Sequence, residues 1–263
     1  MRVTCALLIS TYNWPEALEL VLRSVLQQSR MPDEILIADD GSGRPTIDLV
    51  NKYRDAFPVP LKHAWIEDIG FRKSLALNKA IKMAHSDYII EVDGDIILHP
   101  RFVEDHMKAA KKGFFVQGSR TMLNQKKSEE ILQTKQVKFS PFTKGIYSRF
   151  NSFRIPFLSI LFQPDPKDSY NAKACNIAFW RKDYVQINGY YNDFEGWGCE
   201  DYEFAARLIN SGIYKKRLKM AAIGYHIFHK HYSRHNLQSN DVIYQRTLKE
   251  KLTYCINGYQ EAE

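Results

Sequence analysis

Asp87-Tyr88-Ile89-Ile90-Glu91-Val92-Asp93-Gly94-Asp95 sets a short apolar run directly against two carboxylates separated by one glycine. A run of this length and composition reads as a strand buried on both faces, the kind found in a parallel sheet. Toward the N-terminus the same design recurs. Residues 34–38 form a second apolar run that ends in Asp39-Asp40-Gly41-Ser42, and 3–9 a third that ends in Ser10-Thr11-Tyr12-Asn13. Helical spacing fills the gaps: Ala17, Leu18, Val21, Leu22 and Val25 within 16–28, the segment 47–57, and Leu75, Leu77, Ala80, Ile81 and Ala84 within 74–84. A further short strand is expected over 61–66. Strands alternating with helices imply an α/β fold with a mostly parallel central sheet, right-handed crossovers and flanking helices. Ligands bind such sheets beyond the carboxyl ends of the strands. Those ends carry the polar residues here.

Past residue 100 the pattern loosens. Residues 125–138 are charged and read as a surface loop or helix. Residues 139–162 interleave Phe139, Phe142, Tyr147, Phe150, Phe153, Phe157 and Phe162 with Lys144, Arg149 and Arg154. That stretch suits a lid, an ordinary core helix, or a face resting on an anionic membrane. A strand is expected over 174–179, a helix over 199–210 closed by Gly212, a strand over 221–228 and a terminal helix over 247–257. The 263 residues show no repeat or low-complexity tract, so one domain over 1–263 is the simplest division.

Bulk chemistry narrows the partners. Lys and Arg number 37 against 30 Asp and Glu, a net charge of +7 that favours phosphates, nucleic acid or an acidic lipid surface. No nucleic-acid motif supports the second of these. Cys5, Cys175, Cys199 and Cys255 are isolated in sequence, which argues against zinc ribbons and redox pairs and suits reduced thiols in a cytosolic protein. No apolar run approaches the roughly 20 residues of a spanning helix, and the N-terminus has the wrong flanks for a signal peptide. A soluble or peripheral protein is expected.

Three clusters are candidates for chemistry. Asp93 and Asp95 at i and i+2 share one side of an extended chain, and Gly94 allows close backbone approach. Hard divalent cations take such oxygens and leave positions open to phosphates; a solvated turn is the alternative. In Gly196-Trp197-Gly198-Cys199-Glu200-Asp201 the tryptophan can offer its face to a flat, partly apolar ring. Glu200 and Asp201 either complement a helix N-terminus or supply a general base. Last, His226, His229, His231 and His235 crowd the end of a strand. His229 and His231 share a face at strand spacing, His226 and His229 at helical spacing, and either pair suits a metal or an ordinary packed site. The absence of H-E-x-x-H argues against a zinc hydrolase. Tyr12, Asn13, Asp39 and Asp40 suit recognition of a base and ribose, and Arg72 and Lys73 suit phosphate oxygens. Neither G-x-G-x-x-G nor a Walker loop occurs.

Taken together these segments resemble the inverting family 2 glycosyltransferases, whose fold is GT-A, over nearly the whole chain. Residues 9–13 (with Thr11, Tyr12 and Asn13) look like the start of that family's nucleotide pocket. Residues 38–42 look like its second nucleotide contact, and Asn78 and 91–95 like the approach to its metal motif. The resemblance implies that Asp95 contacts metal and that Asp93 and Gly94 meet the sugar or ribose. Residues 175–179, Asn188-Gly189-Tyr190 and the G-W-G-x-E-D string resemble the C-terminal region of β-1,4-galactosyltransferases, polypeptide N-acetylgalactosaminyltransferases and bacterial chondroitin-type polymerases. By that likeness Asp201 is the catalytic base with Glu200 beside it, while Trp197, Gly198 and Asn176 meet the acceptor. A histidine completes the metal site, His226 by its place after the strand or His229 by its spacing.

The implied donor is a UDP-sugar of the Gal, GalNAc or GlcNAc type, with Mn2+ or Mg2+ as cofactor. The implied acceptor is a glycan or lipid-linked glycan of surface polysaccharide synthesis. Residues 1–100 would form the nucleotide-sugar half and 101–263 the acceptor half with its C-terminal helix. No Q-x-x-R-W string occurs, which argues against a processive synthase. The expected location is cytoplasmic, peripheral at the inner face of the membrane, and no nucleic-acid partner is expected. The competing reading is a non-catalytic glycan- or nucleotide-sugar-binding protein on a degenerate transferase fold.

Overall fold

The structure, a computed structural model, describes residues 2–230 and 235–262. The first hundred residues run β1 (Cys5–Thr11), α1 (Pro15–Val25), β2 (Glu34–Asp39), α2 (Arg44–Arg54), β3 (Leu61–Trp65), α3 (Lys73–Lys82), β4 (Tyr88–Asp93) and β5 (Ile96–Leu98). Then come α4 (Phe102–Ala109), β6 (Phe114–Gln117), β7 (Ser119–Leu123), α5 (Gln125–Thr134) and β8 (Ile146–Tyr147). Two 3-10 turns, Arg149–Ser152 and Pro156–Phe162, lead to β9 (Asn176–Trp180) and α6 (Arg181–Gln186). The chain closes with α7 (Glu200–Asn210), β10 (Tyr214–Arg217), β11 (Ile223–His226) and α8 (Leu237–Glu250).

Two sheets result. The larger has the order β10-β6-β9-β4-β1-β2-β3, the smaller β5-β11-β7-β8. β1, β2, β3 and β4 are parallel, as the alternation of elements requires, but β9 enters antiparallel between β4 and β6. The sequence expectation of a mostly parallel sheet therefore holds, with one reversed strand drawn from the second half of the chain.

The strand alternation explains how one apolar run feeds two cores. Cys5, Leu7 and Ile9 face one side and pack with Leu18, Val21, Leu22 and Val25 of α1. Ala6 and Leu8 face the other, against Leu77, Ala80 and Ile81 of α3 and Phe204 and Leu208 of α7. Period 2 in the strand meets period 3.6 in the helices on each face. A third, smaller core joins Ala17 and Leu20 of α1 to Ile97, Leu123, Ile223 and Tyr225 of the second sheet.

Two expectations fail. The terminal helix occupies Leu237–Glu250 rather than 247–257. Its buried residues, Asn240, Tyr244 and Thr247, form a narrow and mostly polar stripe, and Thr247 Oγ1 donates to Glu203 Oε1 of α7. Apolar spacing cannot register such a helix. Residues 139–162 form no core helix: Phe142, Phe150, Phe157, Ile160 and Leu161 are all exposed. Among the described residues no helix is long and apolar enough to cross a membrane.

Candidate active site

A cleft of about 1360 Å³ opens where β1 and β4 end, as expected for a parallel sheet. Parallel pairing sets Ser10 of β1 beside Asp93 of β4, and Ser10 Oγ donates to Asp93 Oδ1 at 2.9 Å. Lys73, at the start of α3, reaches the same oxygen from Nζ at 2.6 Å. Burial alone would raise the Asp93 carboxyl. The lysine and serine outweigh it and hold Asp93 below the ordinary range. Lys73 is likewise held well above its usual value, burial being overcome by Asp93, Asp201 and Glu91.

Gly94 turns the chain immediately after β4. A Cβ there would lie 2.7 Å from Ser10 O, so only glycine fits this approach. The turn delivers Asp95 to the second sheet. β11 pairs antiparallel with β5, placing His226 opposite Ile96, and Ile227 N donates to Asp95 O at 3.0 Å. His226 Nε2 then lies 3.5 Å, and His229 Nε2 3.3 Å, from Asp95 Oδ2. One ligand atom from each of the three residues falls within 4.8 Å of the others.

This constellation fits a divalent cation. Asp95 Oδ1 is buried without a hydrogen-bond partner, and a buried carboxylate normally has one. Burial and the neighbouring Asp93 push the Asp95 carboxyl up to about 8. Burial together with Arg120 and His229 pushes His226 down to about 4, leaving its imidazole neutral and able to ligate. One carboxylate and two imidazoles suit Mn2+ better than Mg2+, which favours oxygen.

The third component comes from the loop before α7. Gly198 has φ +114° and Cys199 φ +68°, so the chain reverses sharply and presents the first turn of α7 to the cleft. Asp201 Oδ2 accepts from Ala174 N at 2.9 Å, while Oδ1 has no partner. Burial raises the Asp201 carboxyl, with Lys73 and the Ala174 amide pulling against it. Burial and Asp201 push Glu200 up to about 8, and its Oε2 accepts from Gly198 N at 3.1 Å. Two acids this close do not both ionise readily. Lys73 keeps a negative charge available between them. Trp197, 40% exposed, forms part of the cleft wall.

Residues 6–176 match the family described as glycosyl transferase family 2, and 156–231 the one described as N-terminal domain of galactosyltransferase. The chain belongs to glycosyl transferase family 2. The chain is 26% identical over 225 residues to a validoxylamine A glucosyltransferase of Streptomyces hygroscopicus subsp. limoneus, covering 79% of this chain and 48% of that one. It is 23% identical over 249 residues to a chondroitin synthase of Escherichia coli, covering 84% and 34%. The chain thus spans about half, or less, of these relatives. Among solved structures, S. aureus TarS 1-349 in complex with UDP superposes with a TM-score of 0.65 at 16% identity, over 92% of this chain and 64% of that one. The fold is GT-A.

Of the residues singled out from sequence, Thr11, Tyr12, Asp40, Lys73, Asp93, Gly94, Asp95, Trp197, Gly198, Glu200, Asp201, His226 and His229 line the transferase's cleft. Both candidate histidines reach Asp95, so the choice between them dissolves. His235 also lines the cleft; His231 lies outside the described residues.

Four expectations are corrected. Asn176, assigned to the acceptor, is 1% exposed; its amide donates to Ser119 O and Ala222 O, and its oxygen pairs with His106 Nε2. It joins the two sheets and lines not the large cleft but the smaller cavity beside it. Asp39 is fully buried, accepting from Ser42 N with His63 Nε2 at 2.8 Å, and so holds the turn that exposes Asp40. Asn13 Oδ1 accepts from Gly43 N, fixing the neighbouring loop instead of lining the cleft. The Arg72 side chain donates to Glu67 O; its backbone N–H, at 3.1 and 2.9 Å, holds both oxygens of Asp40.

Sequence reading overlooked Ser10, Arg120 and Lys173. Serine after a strand was visible as part of the polar end of β1. Arg120 carries no local signal, because only the pairing of β7 with β11 brings it to the cleft.

Proposed function

We propose that this transferase moves a sugar from a UDP-sugar onto a hydroxyl of a glycan or lipid-linked glycan, with inversion at the anomeric carbon. The observation that carries the reading is the convergence on one cleft of the Asp95–His226–His229 set and the half-free carboxylate of Asp201. A bound Mn2+ or Mg2+ would supply Lewis-acid stabilisation of the leaving diphosphate. Asp201 Oδ1 takes the proton of the acceptor hydroxyl as that oxygen attacks the anomeric carbon and the bond to the diphosphate breaks. Its raised basicity favours this role. Lys73 balances the charge of Asp93 and Asp201, and Asp93 remains anionic to accept from ribose or sugar hydroxyls. Asp40, which burial pushes up to about 7, lines the cleft and would accept from the ring N–H of uracil. The relative solved with UDP supports that nucleotide.

The test is a calorimetric titration of UDP with manganese, repeated with chelator and with Asp95→Asn. Binding that requires both the metal and Asp95 is expected, followed by turnover in a screen of UDP-Gal, UDP-GalNAc and UDP-GlcNAc. No UDP binding under any condition, or a product with retained configuration, would overturn the reading. A binding protein without turnover is the competing outcome; an intact Asp201 beside the metal set speaks against it.

The reading extends to location. All four cysteines are free, which suits a reducing compartment. Residues 131–164 contain no Asp or Glu, and although Lys135 pairs with Glu19 and Arg154 with Asp105, Lys138, Lys144 and Arg149 stand exposed. With the exposed Phe142, Phe150 and Phe157, this face fits the anionic inner surface of a membrane. Vesicle flotation tests it.

A further inference from the structure

Six carboxylates, Asp40, Asp93, Asp95, Glu200, Asp201 and Asp241, line the main cleft. Beside it lies a second cavity of about 190 Å³ with the opposite character. Arg120, Lys173 and Arg217 line it and no carboxylate does. Contact with Cys175, with Asp93 and Asp95 of the main cleft adding to it, outweighs burial and holds the Arg120 guanidinium above its ordinary range. Burial and the charges of Arg120 and Arg217 hold the Lys173 ammonium below its ordinary range, a sign that the cations lie close enough to repel. Like charges gathered with no carboxylate in the chamber itself are unfavourable, and an anion entering among them relieves the repulsion.

The two cavities share a wall. Arg120, Met122, Lys173 and Cys175 line both, and Arg120 Nη1 donates to Cys175 Sγ at 3.4 Å. Between Lys173 and Cys175 of that wall the chain passes through Ala174, whose N–H holds Asp201. The chamber therefore adjoins the carboxylate that would receive the acceptor's proton.

We propose that this chamber is a subsite for an anionic group, phosphate or carboxylate, carried by the acceptor next to its reacting hydroxyl. The inference rests on the transferase reading above and narrows its acceptor to a charged one. Arg217 lines the chamber but not the main cleft. It is exposed, so replacing it leaves the core untouched. With two guanidinium groups and one ammonium, the chamber offers the forked donors that bind planar or tetrahedral oxyanions best.

The experiment titrates inorganic phosphate, and separately glucuronate, into the full chain at low ionic strength, where screening is weak. Saturating UDP and manganese keep the donor side filled. At least one anion is expected to bind, about tenfold more weakly to Arg217→Gln, as for loss of one charged hydrogen bond, and with an intermediate loss to Arg217→Lys, which keeps the charge without the fork. Stronger binding of phosphate assigns the acceptor charge to a phosphate, stronger binding of glucuronate to a carboxylate. If neither anion binds with UDP in place, or Arg217→Gln binds as tightly as the unaltered chain, the subsite does not exist. UDP affinity is measured on the same samples. If UDP binds normally while the anions fail, only this inference falls; if UDP also fails, the transferase reading falls with it.

Discussion

At the scale of single residues, the site depends on carboxylates that differ by environment, not by type. Asp93 is held low by Lys73 and Ser10, whereas Asp95 and Glu200 are pushed to about 8 by burial and like-charged neighbours. Asp201 stands apart because one oxygen is fixed by Ala174 N and the other is left for a ligand. Asp201→Asn keeps the shape and the Ala174 contact but removes the proton acceptor. It is expected to lower kcat by roughly 10²–10⁴, with UDP affinity in manganese unchanged. A rate within a few-fold of the unaltered enzyme would remove Asp201 from the role of base. The sequence singled out Asp95 as the second acid of a D-x-D at a strand end and Asp201 as an acid opening a helix, and the family resemblance gave them their roles. It placed Asn176 and Asp39 in the main cleft, which neither lines, because polar residues at strand ends look alike until their partners are known.

At the scale of elements, the sheet is anchored by polar contacts at its other end. Glu34, at the start of β2, is buried. It accepts from His85 N, Ser86 N and Ser86 Oγ, each within 2.8 Å, and from Lys62 Nζ at 2.7 Å. Burial raises its carboxyl, but Lys62, Ser86 and the two amides prevail and hold it below its ordinary value. A depressed folded-state pKa stabilises the protein above the unfolded-state value, and that contribution is lost as pH falls through the folded one. Glu34→Gln should therefore destabilise the chain at pH 7, by about 1.5–3 kcal/mol for hydrogen bonds to a charged group. The deficit should shrink as the pH drops below about 4.3. Urea unfolding of both proteins at pH 7 and pH 4 measures it; a deficit that grows in acid would show the sign to be wrong. The paired elements themselves were legible wherever both faces are apolar, as in β1, β2 and β4. β5 and β10 were not, being three and four residues long, too short for periodicity to register.

At the scale of the whole molecule, the cleft draws on both sheets and on residues from Ser10 to Asp241. The exposed aromatic face at 139–162 is tied to the end of β10 and the turn that follows it: Gln163 Nε2 donates to Arg217 O, and Ile155 N to Met220 O. Arg217, Ser148 and Asn151 line the cationic chamber, so a membrane under this face would lie close to the proposed acceptor subsite. The chain is expected to float with vesicles containing anionic lipid and to do so poorly with neutral ones. Phe150→Ser combined with Phe157→Ser should weaken flotation by more than tenfold, since each phenyl ring buries roughly 1.5–3 kcal/mol of apolar surface. Equal recovery with neutral vesicles, or no effect of the substitutions, would detach this face from any lipid.

The sequence by itself determined the α/β alternation, the polar ends of β1, β2 and β4, and the candidates Asp93, Asp95, Glu200, Asp201 and the histidines. Those follow from local rules: apolar period, glycine at a tight turn, acids at a strand or helix end. Tertiary structure alone decided that β9 runs antiparallel between β4 and β6, and that Asp40 and not Asp39 faces the cleft. It also decided that both His226 and His229 meet Asp95, and that Arg120, Lys173 and Arg217 share one chamber. Each of these depends on pairing between segments far apart in the chain, where burial and partner charges set a side chain's role and adjacent residues carry no record of them.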